Sequence, residues 1–515
     1  PRMKPTSFYD IVVEVAIIRP GPIVGNMVHP YLRRRRGDEA VTYPHPSLEP
    51  ILKRTLGVPL FQEQLLRIAM VAAGFSGGEA EELRRAFGFK RSVARMKVIE
   101  EKLRAGMAKN GITGQTAEDI LKSISSFALY GFPESHAASF ALIVYASAWL
   151  KAHYPAAFYA AMLNNYPMGF YHPATLVKDA QRHGVAFLPI DVQHSMWDCT
   201  VEDDGKLRMG LRYAGGVREE AGRRIEKGSV ERGSSRAPLA VGRTRRCPKC
   251  GSEDGSMLEE IRSRLWFCNV CAHDWTERES PGPVVAGGSV REPLAGSRSD
   301  RPRYATIDEL IAMASLRRDE VATLAEIGAL ASFGQDRRGA LWQVERAARV
   351  AGPLLDQPAI APGLLEEEQA RPSPLTPMTL AERVSADYGG TGLTIGPHPM
   401  ALRRSDLALR GVLRATDLPK GRHGRRVRVA GAVITRQRPG TAKGFVFLTL
   451  EDETGIANVI VTPDLFAASR ATVVGEAYLL VEGILQIQEG VTAVKADRLL
   501  SLAGTGPDIS SHDFH

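Results

Sequence analysis

Two cysteine pairs carry the sharpest chemical signal in this sequence. Cys247-Pro-Lys-Cys250 and Cys268-Asn-Val-Cys271 are separated by seventeen residues, 251–267. Four thiolates at this spacing suit a closed zinc site, which is structural because no coordination position stays open. Two redox dithiols are the competing reading, but no thioredoxin-like βαβ pattern surrounds them. Trp266, Phe267 and Trp275 would cover the small core of such a site.

Cations give the second signal. Arg33-Arg34-Arg35-Arg36 is either a solvated face or a phosphate patch, since the guanidinium fork matches phosphate bidentately. Arg84, Arg85, Lys90 and Arg91 gather at the end of one helix and in the turn after it. There they either complement the helix dipole or converge on a triphosphate or a DNA backbone. His136 opens the apolar run Ala137 to Leu150, which exits through Lys151 and His153. The run reads as a buried helix, too short to span a bilayer. Its N-terminus is a natural anion site, so His136 either faces a phosphate or simply caps and packs.

The elements that position these groups can be read in order. Helices are expected over Gln62 to Ala73 and Glu79 to Phe87, the second opened by a Ser76/Glu79 capping box. Two more follow, from Ser92 to Asn110-Gly111 and from a Thr116 cap. Residues 207–226 place Gly210, Gly215 and Gly216 before a basic helix, the pattern of a helix-hairpin-helix. Such a turn presents backbone N–H groups to phosphate without reading sequence. A second copy fits Ser315 to Gly334, with Arg317 and Arg318 at its start and Ile327-Gly328-Ala329 as its turn. An ordinary helical pair remains the alternative for both. Residues 227–303 are rich in Gly, Ser, Pro and Arg, as linkers are, and enclose the cysteines. Residues 425–502 hold five strand-like runs with a helix after the third, which suits an OB-fold barrel. Phe445 and Phe447 lie on one face, as stacking platform or barrel core, and Arg436, Arg438 and Lys443 flank the loop before them.

The chain has 515 residues, a net charge of +8 and a pI near 9.2, which favours a polyanionic partner. No signal peptide or membrane span is legible, and reduced cysteines fit a cytoplasmic setting. Pro1 stands where a methionine would, which reads as a processed product or a piece of a longer one.

Arg19-Pro-Gly-Pro22, Phe61-Gln-Glu-Gln64, Leu83-Arg-Arg-Ala-Phe-Gly88, Tyr130-Gly-Phe-Pro-Glu-Ser-His136 and Trp149-Leu-Lys-Ala-His-Tyr-Pro155 occur in this order. Together they resemble the fingers region of the bacterial C-family DNA polymerases, the DNA polymerase III alpha-subunit family. Pro133-Glu134 and the closing Ser511-His-Asp-Phe-His515 resemble its error-prone branch.

The resemblance implies a multidomain α+β chain. Residues 1–190 would be helical fingers. Residues 191–226 and 304–350 would form the helix-hairpin-helix region, interrupted by a zinc-ribbon-like insert at 227–303. Residues 351–424 would be linker and connector, 425–502 the OB-fold and 503–515 a tail. The function implied is templated nucleotidyl transfer in translesion synthesis. Arg19, Arg84, Arg85, Lys90, His136 and Lys151 would grip nucleotide and template.

The partners implied are primer-template and single-stranded DNA, deoxynucleoside triphosphates, translesion accessory proteins and, through them, the sliding clamp. No membrane contact is implied. The family's Mg²⁺-binding aspartates lie upstream of the Arg-Pro-Gly-Pro turn, so this chain alone is expected to be inactive. Glu202-Asp203-Asp204 and Glu451-Asp452-Glu453 read as turn residues. The rival is a stand-alone, non-catalytic DNA-binding protein, for which hairpins, insert and barrel suffice.

Overall fold

Ser7 opens the first helix through a capping box with Asp10, and α1 runs Phe8–Ile17. The computed structural model describes residues 3–18, 28–88, 93–128, 132–169, 172–228, 247–249, 258–262, 265–268, 273–276, 302–347, 373–488, 490–502, 504, 506–507 and 511–514. Arg19 and Lys90 lie outside them.

The first layer is helical. After α1 come α2 (Val28–Arg36), α3 (Gln62–Ala73), α4 (Gly77–Gly88), α5 (Val93–Lys109) and α6 (Gly114–Ala128). Helix α6 starts two residues before Thr116, which therefore sits inside the first turn rather than capping it. These helices share one core that includes Val13, Phe61, Leu83, Leu103 and Ile120.

The four consecutive arginines are all paired within the chain, while Arg33 and Arg36 stay exposed. Arg35 pairs bidentately with Asp10, at 2.6 and 2.8 Å. Arg33 and Arg34 share Glu39, and Arg36 meets Asp38. Arg34 also donates to the carbonyls of Thr42 and Leu56. The run clamps α2 to its surroundings.

Helix α7 (Glu134–His153) corrects the expectation of a buried helix. Only Ala137 and Ala141 are buried. They lie one turn apart and pack on the first core, where a small side chain is what a close approach allows. Leu142 and Ile143 are each 62% exposed, and Phe140, Val144, Tyr145, Trp149 and Leu150 are exposed too. The helix is a strut leading from the first core to the second. Among the described residues no helix is long and apolar enough to cross a membrane.

The second core gathers α8 (Pro155–Asn164), α9 (Pro173–Arg182), α10 (Glu219–Lys227), α11 (Ile307–Ala314), α12 (Arg318–Glu326), α13 (Arg337–Ala347) and α14 (Leu380–Thr391). A small sheet joins them. In it β1 (Phe187–Leu188) pairs in parallel with β3 (Leu207–Arg208), which pairs antiparallel with β2 (Thr200–Val201). Glu202-Asp203-Asp204 turns the β2–β3 hairpin: the Glu202 N–H donates to the Lys206 carbonyl, and Arg208 pairs with Glu202 at 2.6 Å.

Three antiparallel strands follow in the insert: β4 (Leu258–Arg262), β5 (Leu265–Cys268) and β6 (His273–Thr276).

The barrel is built from β8 (Arg426–Gln437), β9 (Val446–Glu451), β10 (Ile456–Val461), β11 (Tyr478–Gln488) and β12 (Val491–Ser501). Strand β11 pairs with both β12 and β8, which closes the sheet on itself. Val429, Val433, Leu448, Leu450, Val459 and Leu485 fill the interior. Alternation sends Ala430 and Ala432 outward, where they join the second core. Two short parallel additions complete the sheet: β7 (Val412–Leu413) at the start of β8, and β13 (His512–Phe514) at its end.

Candidate nucleotide and nucleic-acid interface

The start of α7 is held by carboxylates. The Glu134 N–H donates to Glu63 at 2.9 Å, and Tyr9 donates to Glu134 at 2.7 Å. The Arg54 guanidinium lies 3.7 Å from the centre of the Tyr9 ring. Burial, then the Glu134 carboxylate, pushes the Tyr9 hydroxyl up. The helix terminus is thus already served by an anion of the chain itself. One turn on, exposed His136 sits edge-on to Phe132 and Phe140, with ring centres 5.1 and 4.7 Å away.

Lys151 belongs to the other end of the same helix. Fifteen residues of α7 separate it from His136, which is about 22 Å along the axis. A single triphosphate cannot meet both. Lys151 instead pairs with Asp179 at 2.8 Å, and Tyr159 donates to the same carboxylate at 2.6 Å. That cluster anchors α7 to α8 and α9. Arg84 and Arg85 are exposed on α4, and both pair with Glu81, at 2.7 and 3.2 Å.

In the hairpin region the three glycines do different things. A Cβ on Gly210 would meet the Trp197 carbonyl oxygen at 2.4 Å, so Gly210 serves a close backbone crossing. The Gly215 N–H donates to the Gly390 carbonyl at 2.6 Å and is therefore not available to a phosphate. Gly216 takes a φ of +79° in the exposed turn before α10. In the second hairpin Gly328 (φ +83°) turns between α12 and α13. Arg317 is exposed at its entrance, and Arg318 pairs with Glu345 on α13.

The barrel departs from the sequence in one cation. Arg436 is no free DNA contact. It donates to the carbonyls of Val473 and Glu476, both at 2.6 Å, and to Ser511 Oγ, and its side chain is 11% exposed. It pins the tail strand β13 to the barrel. Arg438 lies 4.9 Å from the Phe466 ring centre. Lys443 takes a left-handed turn (φ 51°). Phe447 stands on the outer face, 37% exposed, with half-buried Phe445 two residues before it.

Register carries that outer row once round the closed barrel. Gln437 pairs with Phe447, Phe447 with Ile460, Ile460 with Lys495, Lys495 with Ile484, and Ile484 with Arg426. Sequence reading found the aromatic end of this row. The rest depends on pairings between strands far apart in the chain.

A buried charge network joins the barrel to α9. Arg182 pairs with Glu451 at 2.8 Å and donates to the Asp452 carbonyl. Lys178 donates to the Gly396 carbonyl, and Arg404 spans Asp452 and Glu453. Burial pushes Glu451 up to about 7 and His398 down to about 3. Asp452 accepts the N–H groups of Ala415, Thr454 and Gly455. Glu202, Asp204 and the 451–453 carboxylates are thus committed to structural partners.

Of the cysteines, Cys247 is buried and Cys268 ends β5, while Cys250 and Cys271 lie outside the described residues. Cys199 is buried in the second core, which pushes its thiol up to about 11. No group of three or more His, Cys, Asp or Glu placed to hold a metal occurs among the described residues.

Comparison with known proteins adds a consistent order of parts. Residues 1–111 match the bacterial DNA polymerase III alpha subunit finger domain, 184–237 a helix-hairpin-helix motif, and 427–502 an OB-fold nucleic acid binding domain. The chain is 43% identical over 516 residues to the error-prone DNA polymerase of Anaeromyxobacter dehalogenans, covering 100% of this chain and 40% of that protein. The error-prone DNA polymerase of Pseudomonas fluorescens is 40% identical over 530 residues, with 100% and 44% covered. The chain therefore spans less than half the length of the curated relatives it matches. A solved asparaginyl-tRNA synthetase from Pyrococcus horikoshii matches 17% of this chain and 20% of its own, at 29% identity and a TM-score of 0.14.

Proposed function

We propose that this chain, related along its whole length to the error-prone bacterial C-family DNA polymerases, holds nucleotide and DNA for templated nucleotidyl transfer. One observation carries the reading: finger, hairpin and barrel matches occur in that order within a chain 43% identical to such a polymerase from end to end. A pure DNA binder has no need of a finger domain.

Phosphoryl transfer needs carboxylates that hold divalent cations at the attacking and leaving oxygens. Here Glu202 and the 451–453 carboxylates serve arginines and backbone N–H groups. We assign the Mg²⁺-holding chemistry to the part of the relatives that this chain does not span. The exposed apolar side of α7 is a surface for that part to cover.

The chain's own contribution is grip. His136 offers an exposed imidazole beside two aromatic rings, suited to a phosphate or a base. Arg84 and Arg85 share one carboxylate, which leaves guanidinium donors for a polyanion. The barrel face offers Phe447 as a stacking platform. Cys247, Cys250, Cys268 and Cys271 would hold one structural Zn²⁺ in the reducing cytoplasm. The β4–β6 meander supports that reading by bringing Cys268 to the end of a paired strand. Contact with translesion accessory proteins, and through them with the sliding clamp, belongs to the same proposal.

Thermal unfolding with ligands, run beside primer extension, tests the reading. A primed template should raise the unfolding midpoint, and deoxynucleoside triphosphates with Mg²⁺ should raise it further, with no extension by this chain alone. A response to DNA but none to nucleotide would favour a stand-alone DNA-binding protein. Extension would place the metal ligands within this chain and overturn the division of labour.

A further inference from the structure

The barrel carries a second charged surface away from the loop that holds Arg438 and Lys443. Connector and strand entry together run Arg410, Arg414, Lys420, Arg422, Arg425, Arg426 and Arg428. Three of these seven have carboxylate partners: Lys420 with Asp417, Arg426 with Asp497 and Arg428 with Glu482. Arg410, Arg414, Arg422 and Arg425 are exposed, with no carboxylate partner among the described residues.

The backbone that presents them is fixed. Strand β7 pairs with β8, so Val412 stands beside Arg428. Arg428 also donates to the Arg410 carbonyl at 3.0 Å. The 421–425 loop is tied to the end of β11: Gly424 donates to Leu485, Leu485 to Arg425, both at 2.8 Å, and the Ile487 N–H to His423 Nδ1 at 3.0 Å. A cleft of about 330 Å³ opens on this edge, lined by Gly411, Leu413, Arg425, Arg426, Arg428 and Glu482. Exposed guanidinium groups without carboxylate partners among the described residues, on a pinned edge, suit a ligand with repeated negative charge.

Register says which ligand. Arg426 is the last member of the cross-strand row that begins at Gln437 and Phe447. Cross-strand partners point the same way, so the row is a continuous path round the outside of the closed barrel, four strand spacings or about 19 Å of arc from Phe447 to Arg426. It links the Phe447 platform to Arg426, which pairs with Asp497, opens β8 and is preceded in the chain by Arg425, without a carboxylate partner among the described residues.

We propose that the β7–β8 edge, through Arg410, Arg414, Arg422 and Arg425, is a phosphate-binding track for single-stranded polynucleotide leaving the barrel face. This rests on the reading of the barrel as a single-strand binder and adds a second subsite to it. Short strands occupy the face alone. Longer ones continue onto the edge, where Arg forks grip the backbone without reading bases.

The test is fluorescence anisotropy on the full chain with oligothymidylates of about four and about sixteen nucleotides, the range of OB-fold site sizes. The variants are Arg414→Ala/Arg422→Ala/Arg425→Ala and, separately, Phe447→Ala. Each lost phosphate contact lowers the single-strand salt slope by about 0.7, so the triple change lowers it by about 2. Between 50 and 200 mM salt, wild-type affinity for the longer strand should then fall about twentyfold more than that of the variant. The shorter strand should bind both alike.

Wild-type behaviour of the triple variant on the longer strand, or an equal loss on both lengths, overturns the track. So does loss of polyglutamate binding with DNA binding intact, which would make the edge a protein-docking surface. If Phe447→Ala is silent while the triple variant shows the expected loss, the edge stands and the barrel-face reading falls. If Phe447→Ala weakens both lengths and the triple variant is silent, the face stands and the edge falls.

Discussion

Glu451 and His398 face each other, 4.0 Å apart, in the buried seam between the barrel and α9. Burial moves them in opposite directions. Glu451 rises from 4.5 to about 7, although Arg182 beside it acts to lower it. His398 falls from 6.5 to about 3, through burial first and then through the positive charges of Lys178, Arg182 and Arg404. Between pH 4.5 and 7 the folded chain keeps a proton on Glu451 that the unfolded chain releases, so this group's stabilisation is lost as pH rises. Between pH 3 and 6.5 the unfolded chain takes up a proton on His398 that the folded chain refuses, so stability is lost as pH falls. From pH 4.5 to 6.5 the two slopes oppose each other, each about 1.4 kcal/mol per pH unit. The seam should therefore be nearly indifferent to pH there. Glu451→Gln keeps an acceptor for Arg182 and leaves the histidine slope exposed. Its unfolding midpoint should drop by about 3–6 °C per unit between pH 6.5 and 5. His398→Asn keeps the cap acceptor for the Met400 N–H and should show the reverse slope. Calorimetry with far-UV circular dichroism at four pH values reads both, and the double variant should be flat again. A Glu451→Gln profile parallel to that of the wild type would refute the opposed titrations.

Three further outcomes follow from the site. His136→Ala should weaken deoxynucleoside triphosphate binding about tenfold or more, the loss of one hydrogen bond to a charged group. Lys151→Ala should leave it unchanged, because Asp179 holds that lysine about 22 Å away; equal losses by calorimetric titration would mean the two converge after all. Arg436→Ala should free the tail, seen as faster amide exchange at 512–514 by mass spectrometry, without altering the salt slope for DNA; a slope lowered by about 0.7 would restore Arg436 as a phosphate contact. Cys250→Ser should release zinc measured by elemental analysis and leave the barrel transition in place; unchanged zinc would remove the metal assignment.

Local pattern decided what the sequence could show. The barrel strands were legible because apolar alternation is bounded by turns such as Pro439-Gly440 and the Asp452 to Gly455 turn, and each boundary needs only neighbouring residues. The caps were legible or misplaced on the same terms: Ser76 does form a capping box with Glu79, whereas Thr116 falls inside α6. Helix α7 misled because an apolar run looks buried whatever stands beside it, and only Ala137 and Ala141 have a neighbour close enough to bury them. Strand β13 has three residues and no local signal; it exists because β8 offers an open edge at Thr435 to Gln437.

Charge was the least legible property, for a physical reason. A guanidinium group is drawn to the nearest carboxylate or carbonyl, and that partner is commonly distant in sequence. Arg35 finds Asp10, Arg182 finds Glu451 and Arg436 finds Val473 and Glu476. Runs of cations therefore point to clamps as readily as to ligands. What separates the two is whether a cation's own chain has answered it. By that standard Arg34 and Arg35, half-buried and held by Glu39, Leu56 and Asp10, are structural. Arg410, Arg414, Arg422 and Arg425, scattered through the connector, are exposed with no carboxylate partner among the described residues.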